Sequence, residues 1–425
     1  MKIATIFLIL LILHITSYLV SGQIIDLLLQ IIINLLNNIL GGLLNSADTN
    51  KLAQILLKIE KEYNVKLSNE EITEKVKHFL QLKTDINGEW DFDMTVEFFL
   101  PIEFQLKLGG GNRWLAEGED PNGKFEEGEI GAGPPIAEPR IESEVLKEAP
   151  SSSVDNEKDH QHPRDKRASC TFKNVFSARV NWPGCAPIIN RITDQGQCGS
   201  CWAVATSTVF TDRLCIQRAK NGWTTPNTAS YIYSALDTLG CSGGGDCSGG
   251  RPATVWQWMY KFGVVTGTSY QDYKGCKPYP FSHSGPTYSP NCVEKCYWNI
   301  PYFADKRKVK SWRYYSGNSI NNEDTMREIR DNGPVCAIFR IFSDFHGYTG
   351  ERVYRRNQYA NPQENHVVAI IGYGTQVCNG YETDYWLVRN SWGTNWGDNG
   401  FFKIRRGWNE CGIEGNQISH GIPII

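Results

Sequence analysis

Cysteine is missing from the first 169 residues of this 425-residue chain, and all 13 cysteines fall between Cys170 and Cys411. That absence excludes a disulfide framework for the N-terminal part and concentrates one in the remainder, as in oxidised secreted domains. Any Asn-x-Ser/Thr sequon is also missing. Sorting that depends on N-glycans is thereby excluded, and secretion gains weight over lysosomal delivery. Long runs of one charge sign are lacking too. Residues 1–167 carry 17 Lys/Arg against 27 Asp/Glu, a net of −10, while residues 168–425 carry 26 against 19, a net of +7. The basic residues of the second part are scattered among acids, which argues against nucleic acid as a partner.

What is present divides the chain in three. "MKIATIFLILLILHITSYLVSG" has Lys2, an apolar run from Ile6 to Leu13, and small Ser21 and Gly22, and it reads as a signal peptide over 1–22, with a signal anchor as the alternative. "QIIDLLLQIIINLLNNILGGLL" follows, with Asp26, Gln30, Asn34, Asn37 and Asn38 forming a narrow polar stripe on an apolar helix. Its carboxylate and amides make a bilayer span costly, so packing inside a pro-segment is the reading, and membrane association of residues 24–44 is the lesser one. Residues 50–82 read as helical, with Ser68 and Glu71 forming a capping box. Trp90, Phe92, Met94, Val96 and Phe98 then alternate with polar residues, as do Ile102, Phe104, Leu106 and Leu108, which predicts two half-buried strands. From Gly109 to about His162 the composition is that of an acidic linker. It ends at Arg164, Lys166 and Arg167, a basic run of the kind cut in secretory vesicles. Residues 23–167 thus read as a propeptide and 168–425 as the mature unit. In that unit helices come first and strands later ("HVVAIIGYG", "DYWLVRNSWG", "GFFKIRRG"), an α+β pair of subdomains.

The Cys198-Gly-Ser-Cys201 pair admits a redox couple, half a zinc site, or one structural and one reactive thiol. A short βαβ context for the first is not seen. The other close pair, Cys292 and Cys296, lies about 90 residues away, outside zinc-finger spacing. The third option puts Cys201 in the first turn of a helix, where backbone N–H groups and the dipole favour a thiolate. His366 opens an apolar strand and Asn390 closes another, so an imidazole and an amide that holds it are both on offer. Gln195 supplies a side-chain N–H six residues before Cys201 for a developing oxyanion. Taken singly, a strand-end His is structural more often than not. With an odd cysteine count leaving one thiol unpaired, the joint reading is nucleophilic catalysis.

"QGQCGSCW", "CSGG" at 247–250, "NHVVAIIGYG" and "NSWGTNWGDNGFFKI" resemble the papain family of cysteine peptidases, and "WPGC", "GCKPYPF" and "NGPV" resemble its cathepsin B branch. The resemblance covers about 168–425 and does not reach 1–167. It implies a papain-like α+β fold: a helical left subdomain, a β-barrel-like right subdomain and an active-site cleft between them. It further implies Cys201 as nucleophile, His366 as base and then acid, Asn390 as orienter and Gln195 as oxyanion donor. Gly249 and Gly250 would bind substrate backbone, and Trp392 would shield the Asn390–His366 bond. The bridges it implies are Cys198–Cys247, Cys185–Cys215, Cys241–Cys292 and Cys276–Cys296. Cys170, Cys336, Cys378 and Cys411 stay unassigned. No metal or organic cofactor is required, the partners are peptide or protein substrates and the chain's own propeptide as inhibitor, and the route is secretory, ending outside the cell or in lysosomes or endosomes.

Two departures bear on specificity. Cathepsin B carries a disulfide-held loop with adjacent histidines that gives dipeptide trimming, whereas "KPYPFSHSGPTYSPN" here is shorter and offers only His283, which implies endopeptidase action. After "CGIE" the chain places Asn416, or Gln417, where the branch has a carboxylate, so apolar side chains are expected there over Arg. The opposed charges of the two parts imply acid-promoted release of the propeptide. The competing class is a catalytically silent binding or matrix protein that keeps the fold.

Overall fold

The computed structural model describes residues 22–110, 170–282 and 287–425. The signal peptide through Ser21, the acidic linker beyond Gly110, the basic run at 164–167 and His283 lie outside the described residues.

Three helices open the fold: α1 (Gly22–Leu40), α2 (Ser46–Tyr63) and α3 (Asn69–Ile86). Asn45 caps α2 by accepting from the Asp48 N–H at 2.8 Å. The capping box of α3 forms, with Glu71 accepting from the Ser68 N–H at 2.7 Å and Ser68 accepting from the Glu71 N–H at 3.2 Å. Both helices end on a left-handed Asn, Asn64 and Asn87. Leu36 and Leu40 of α1 are buried in one core with Leu52, Ile59, Val76 and Phe79. Among the described residues no helix is long and apolar enough to cross a membrane.

The two strands expected at 90–108 do not form. Phe92 makes a single bridge to Tyr348, after which Thr95 caps a helical turn, α4 (Val96–Phe99), and Pro101 introduces α5 (Ile102–Leu108). The alternation breaks where it would matter, because Val96, Glu97, Phe98 and Phe99 are all buried. Among the described residues no neighbouring strand offers a ladder, and the Thr95 hydroxyl satisfies the Phe98 N–H locally at 3.1 Å instead.

The C-terminal part is built on α6 (Cys201–Lys220), a helix buried on nearly every side over its first four turns. Its hydroxyls survive burial by bonding back along the helix, Thr206 to Trp202 O at 2.7 Å and Thr211 to Ser207 O at 2.8 Å. Facing it is an eight-stranded sheet in the order β4-β10-β5-β7-β8-β9-β6, with β1 paired to β7. The strands are β1 (Cys170–Ser177), β4 (Val309–Tyr315), β5 (Val335–Phe342), β6 (Val353–Tyr354), β7 (Pro362–Cys378), β8 (Tyr381–Arg389), β9 (Phe401–Arg405) and β10 (Gln417–Pro423), and a small hairpin pairs β2 (Gly245–Asp246) with β3 (Gly249–Gly250). The three segments expected as strands are β7, β8 and β9. The sheet has two buried faces. Phe339, Val368 and Ile370 share a core with the N-terminal helices, whereas Ile338, Val367 and Ala369 pack on α6. The buried Arg389–Asp212 pair at 2.7 Å ties β8 to α6. This is the expected α+β arrangement, and the cleft falls where α6 and β7 begin and β8 ends.

Candidate active site

Five disulfides hold the C-terminal part: Cys170–Cys378, Cys185–Cys215, Cys198–Cys247, Cys241–Cys292 and Cys276–Cys296. Cys201, Cys336 and Cys411 are free. Cys198 is therefore fastened to the β2–β3 hairpin while Cys201, three residues on, occupies the first position of α6 as a buried thiol.

The Cys201 sulfur accepts from the Val367 N–H at 3.4 Å, which places it beside the residue that follows His366. His366 Nε2 lies 2.7 Å from Asn390 Oδ1, an oxygen that also accepts from the Ser391 N–H at 2.8 Å. That second bond identifies the amide oxygen, so Nε2 is the protonated nitrogen and Nδ1 carries the lone pair. Nδ1 is buried and has no hydrogen-bond partner among the described residues. The Trp392 ring lies over His366, centroids 5.1 Å apart. Gln195 is fully buried, and its Oε1 accepts from the Ser391 hydroxyl at 2.6 Å, which turns its NH2 toward the cleft. Sequence reasoning passed over Ser391, although it stands inside the quoted "NSW".

The cleft is occupied by the chain's own residues 107–110. Gln195 Nε2 donates to Lys107 O and Leu108 O, each at 3.2 Å, and Trp392 Nε1 donates to Leu108 O at 3.0 Å. Gly110 donates to Asn365 O and accepts from the Gly250 N–H, each at 3.1 Å. A Cβ on Gly110 would stand 2.8 Å from the Cys201 sulfur and 2.5 Å from Gly199 O, so only glycine fits. Gly249 pairs with Asp246 in the hairpin and itself bonds nothing in 107–110 among the described residues. Asn416 lies apart from this cluster, exposed on the wall of a neighbouring cavity, and Gln417 is buried opposite Ile338 in the sheet.

Burial sets the electrostatics. It pushes the Cys201 thiol up to about 12, against the hydrogen bonds from Val367, Trp202 and its own N–H. It also lowers His366 to about 4, with the Asn390 bond acting the other way. The helix-start advantage expected for a thiolate is outweighed while the cleft is covered, and at neutral pH the two groups stand as thiol and neutral imidazole.

A free thiol at a helix start, an imidazole fixed by an amide and a cleft between a helical and a β subdomain define a papain-type cysteine peptidase. The family model described as papain family cysteine protease matches residues 176–420, and the chain belongs to that family. Cathepsin B-like cysteine proteinase 4 of Caenorhabditis elegans is 40% identical over 275 residues, covering 60% of this chain and 76% of that one. A cathepsin B-like cysteine proteinase of Schistosoma japonicum is 36% identical over 262 residues, 57% of this chain and 71% of that one. Among solved structures, proCathepsin B S9 from Trypanosoma congolense aligns with a TM-score of 0.58 at 26% identity, covering 82% of this chain and 98% of that one. The digestive procathepsin L2 of Tenebrio molitor shares the fold, with a TM-score of 0.54 at 20% identity over 88% of this chain and all of that one. The chain is thus a cysteine protease of cathepsin B type.

Proposed function

We propose that this zymogen matures into an endopeptidase acting through Cys201, His366 and Asn390. His366 Nδ1 takes the Cys201 proton, the thiolate adds to the substrate carbonyl, and the imidazolium then protonates the leaving amine. Water hydrolyses the resulting thioester with His366 again as base. Gln195 Nε2 and the Cys201 N–H stabilise the oxyanion in both additions. Asn390 fixes the tautomer, Trp392 keeps water from the Asn390–His366 bond, and Gly249 and Gly250 carry the substrate backbone. The observation that carries this reading is that one stretch of the chain, Lys107–Gly110, bonds to Gln195, Trp392, Asn365 and Gly250 while lying against the Cys201 sulfur. A peptide bound there meets Gln195, Trp392, Gly250 and the Cys201 sulfur at once.

Maturation at Arg167 would release residues 168–425, and travel through the secretory pathway suits five disulfides. The short Cys276–Cys292 span supports internal cleavage over dipeptide trimming. An epoxide or vinyl-sulfone probe on activated protein tests the reading: one adduct, mapped to Cys201, with complete loss of peptidase activity is expected. Labelling confined to Cys336 or Cys411, or no hydrolysis of any peptide, would assign the chain instead to a silent binding role.

A further inference from the structure

Next to the cleft lies a cavity of about 430 Å³ whose lining includes three arginines, Arg340, Arg356 and Arg405, and a single carboxylate, Glu410. Glu410 is committed to Arg405, at 2.6 Å, and to the Arg356 backbone N–H, at 3.2 Å. Two guanidinium groups are left without a carboxylate of their own in the cavity. That of Arg356 is propped over the Phe342 ring, 4.7 Å from its centroid.

Arg340 is the sole polar and sole exposed residue of β5, "VCAIFRIF". Cys336 and Ile338 share its face of the strand and pack on the helical subdomain. Arg340 is one step further along, where that packing ends and the cleft begins. Across the sheet it is in register with Asn365, which lines the same cavity and whose carbonyl holds Gly110 in the cleft. Arg340 is therefore one strand away from the main-chain position that any bound peptide would share with Gly110. Glu364 senses the charge of Arg340, but it does not line the cavity, and burial outweighs that influence and raises its pKa. Asn416 also lines the cavity, with a neutral amide.

We propose that this cavity is a side-chain subsite for a carboxylate, with Arg340 the specificity-determining residue, so that the enzyme favours Glu or Asp at the substrate position seated there. The inference rests on the reading that Cys201 cleaves peptides bound in this cleft. It goes beyond the expectation drawn from Asn416 alone: Arg is rejected by like charge, and the favoured side chain is acidic rather than merely apolar.

The test is a fluorogenic tetrapeptide set with Glu, Gln, Phe or Arg placed in turn at each of the four positions before the scissile bond. It is run on activated protein at low ionic strength. At one position Glu should exceed its isostere Gln by about tenfold in kcat/KM, as a charge-assisted bond predicts, with Arg slowest. Arg340→Gln should bring that ratio close to one, and Arg340→Glu should invert it. Each ratio is read within one preparation, so any loss of folded protein cancels. A wild-type Glu:Gln ratio of one or less at all four positions overturns the inference, and so does a ratio unmoved by both variants. In those cases cleavage itself persists and the protease reading stands. Failure to cleave any peptide in the set refutes that reading, and this inference falls with it.

Discussion

The two parts of this zymogen are held by different physics. Residues 170–425 are stapled by five disulfides that close spans of 20 to 208 residues, each of a kind worth about 2–5 kcal/mol. Residues 22–110 have no covalent tie of that sort. They dock by aromatic packing, with Trp90 5.0 Å from Tyr354 and 6.0 Å from Tyr348, centroid to centroid, and Phe92 bridged to Tyr348. Asp91 adds bonds to the Glu351 and Arg352 N–H groups, each at 3.1 Å. Among the described residues its 4.0 Å contact with Arg352 is the one ion pair between the two parts. A cross-linked unit persists through processing and acid, whereas a unit docked by burial can leave once its chain is cut. The N-terminal part is thus continuous with the core of the enzyme while no disulfide holds it there.

The largest test of this contrast is thiol reactivity. Covered by Gly110, Cys201 sits near pKa 12; uncovered, it should return at least to the ordinary range near 8.5, raising the thiolate fraction at pH 7 on the order of 10³-fold. Alkylation followed by peptide mapping, which separates Cys201 from Cys336 and Cys411, should be faster in processed protein than in the zymogen by that order. Equal rates would mean that the propeptide does not govern the site. A smaller effect is expected from Gly110→Leu. The new Cβ meets the Gly199 carbonyl at 2.5 Å, a backbone atom that cannot step aside, so residues 107–110 must lift. The intact variant should hydrolyse a small fluorogenic peptide about 100-fold faster than the intact wild type, corresponding to roughly 3 kcal/mol of lost docking. A variant as silent as wild type would show that latency is held elsewhere.

How much of this was legible in the sequence follows from how local each feature is. Cys201, Asn390 and Gln195 could be picked out because each is a reactive or polar residue standing near glycine and tryptophan, and His366 because its ring interrupts an apolar strand. Strands β7, β8 and β9 announced themselves as apolar runs bounded by Gly and Asn. The stretch from Trp90 to Phe98 misled because alternation fixes a strand only when a partner supplies the ladder, and among the described residues the pairing here is one isolated bridge, Phe92 to Tyr348. The Cys170–Cys378 bridge depends on the β1–β7 register that sets those two residues opposite each other across 208 positions, which no local pattern encodes. Arg340 was hidden for the same reason. In the chain it is a lone charge in an apolar strand, and only the pairing with Asn365 brings it to the cleft.

The smallest effect concerns pH, and it sharpens the contrast by asking which groups respond. The opposed net charges of the two parts pointed to carboxylates, yet across the interface the described ion pairing is limited to Asp91 and Arg352. Two histidines occupy that interface instead. His78 of α3 bonds Ser343 at 3.0 Å and stacks on Phe98, and His346 bonds Gln363 at 2.6 Å, which in turn reaches Gln105 of α5 at 3.1 Å. Burial lowers both, His346 to about 4, with the Lys75 charge adding to the effect on each. A histidine whose pKa is depressed on docking favours the docked state fully above its ordinary value near 6.5, and that contribution is lost as pH falls toward the depressed value. Release should therefore accelerate between about pH 6.5 and 4. His78→Phe keeps the stack on Phe98 and removes one titrating group, so the midpoint of acid activation should move down by about half a pH unit. The check is the first-order activation rate of the full chain from pH 3.5 to 7. Superimposed profiles for His78→Phe and wild type would take His78 out of the acid response.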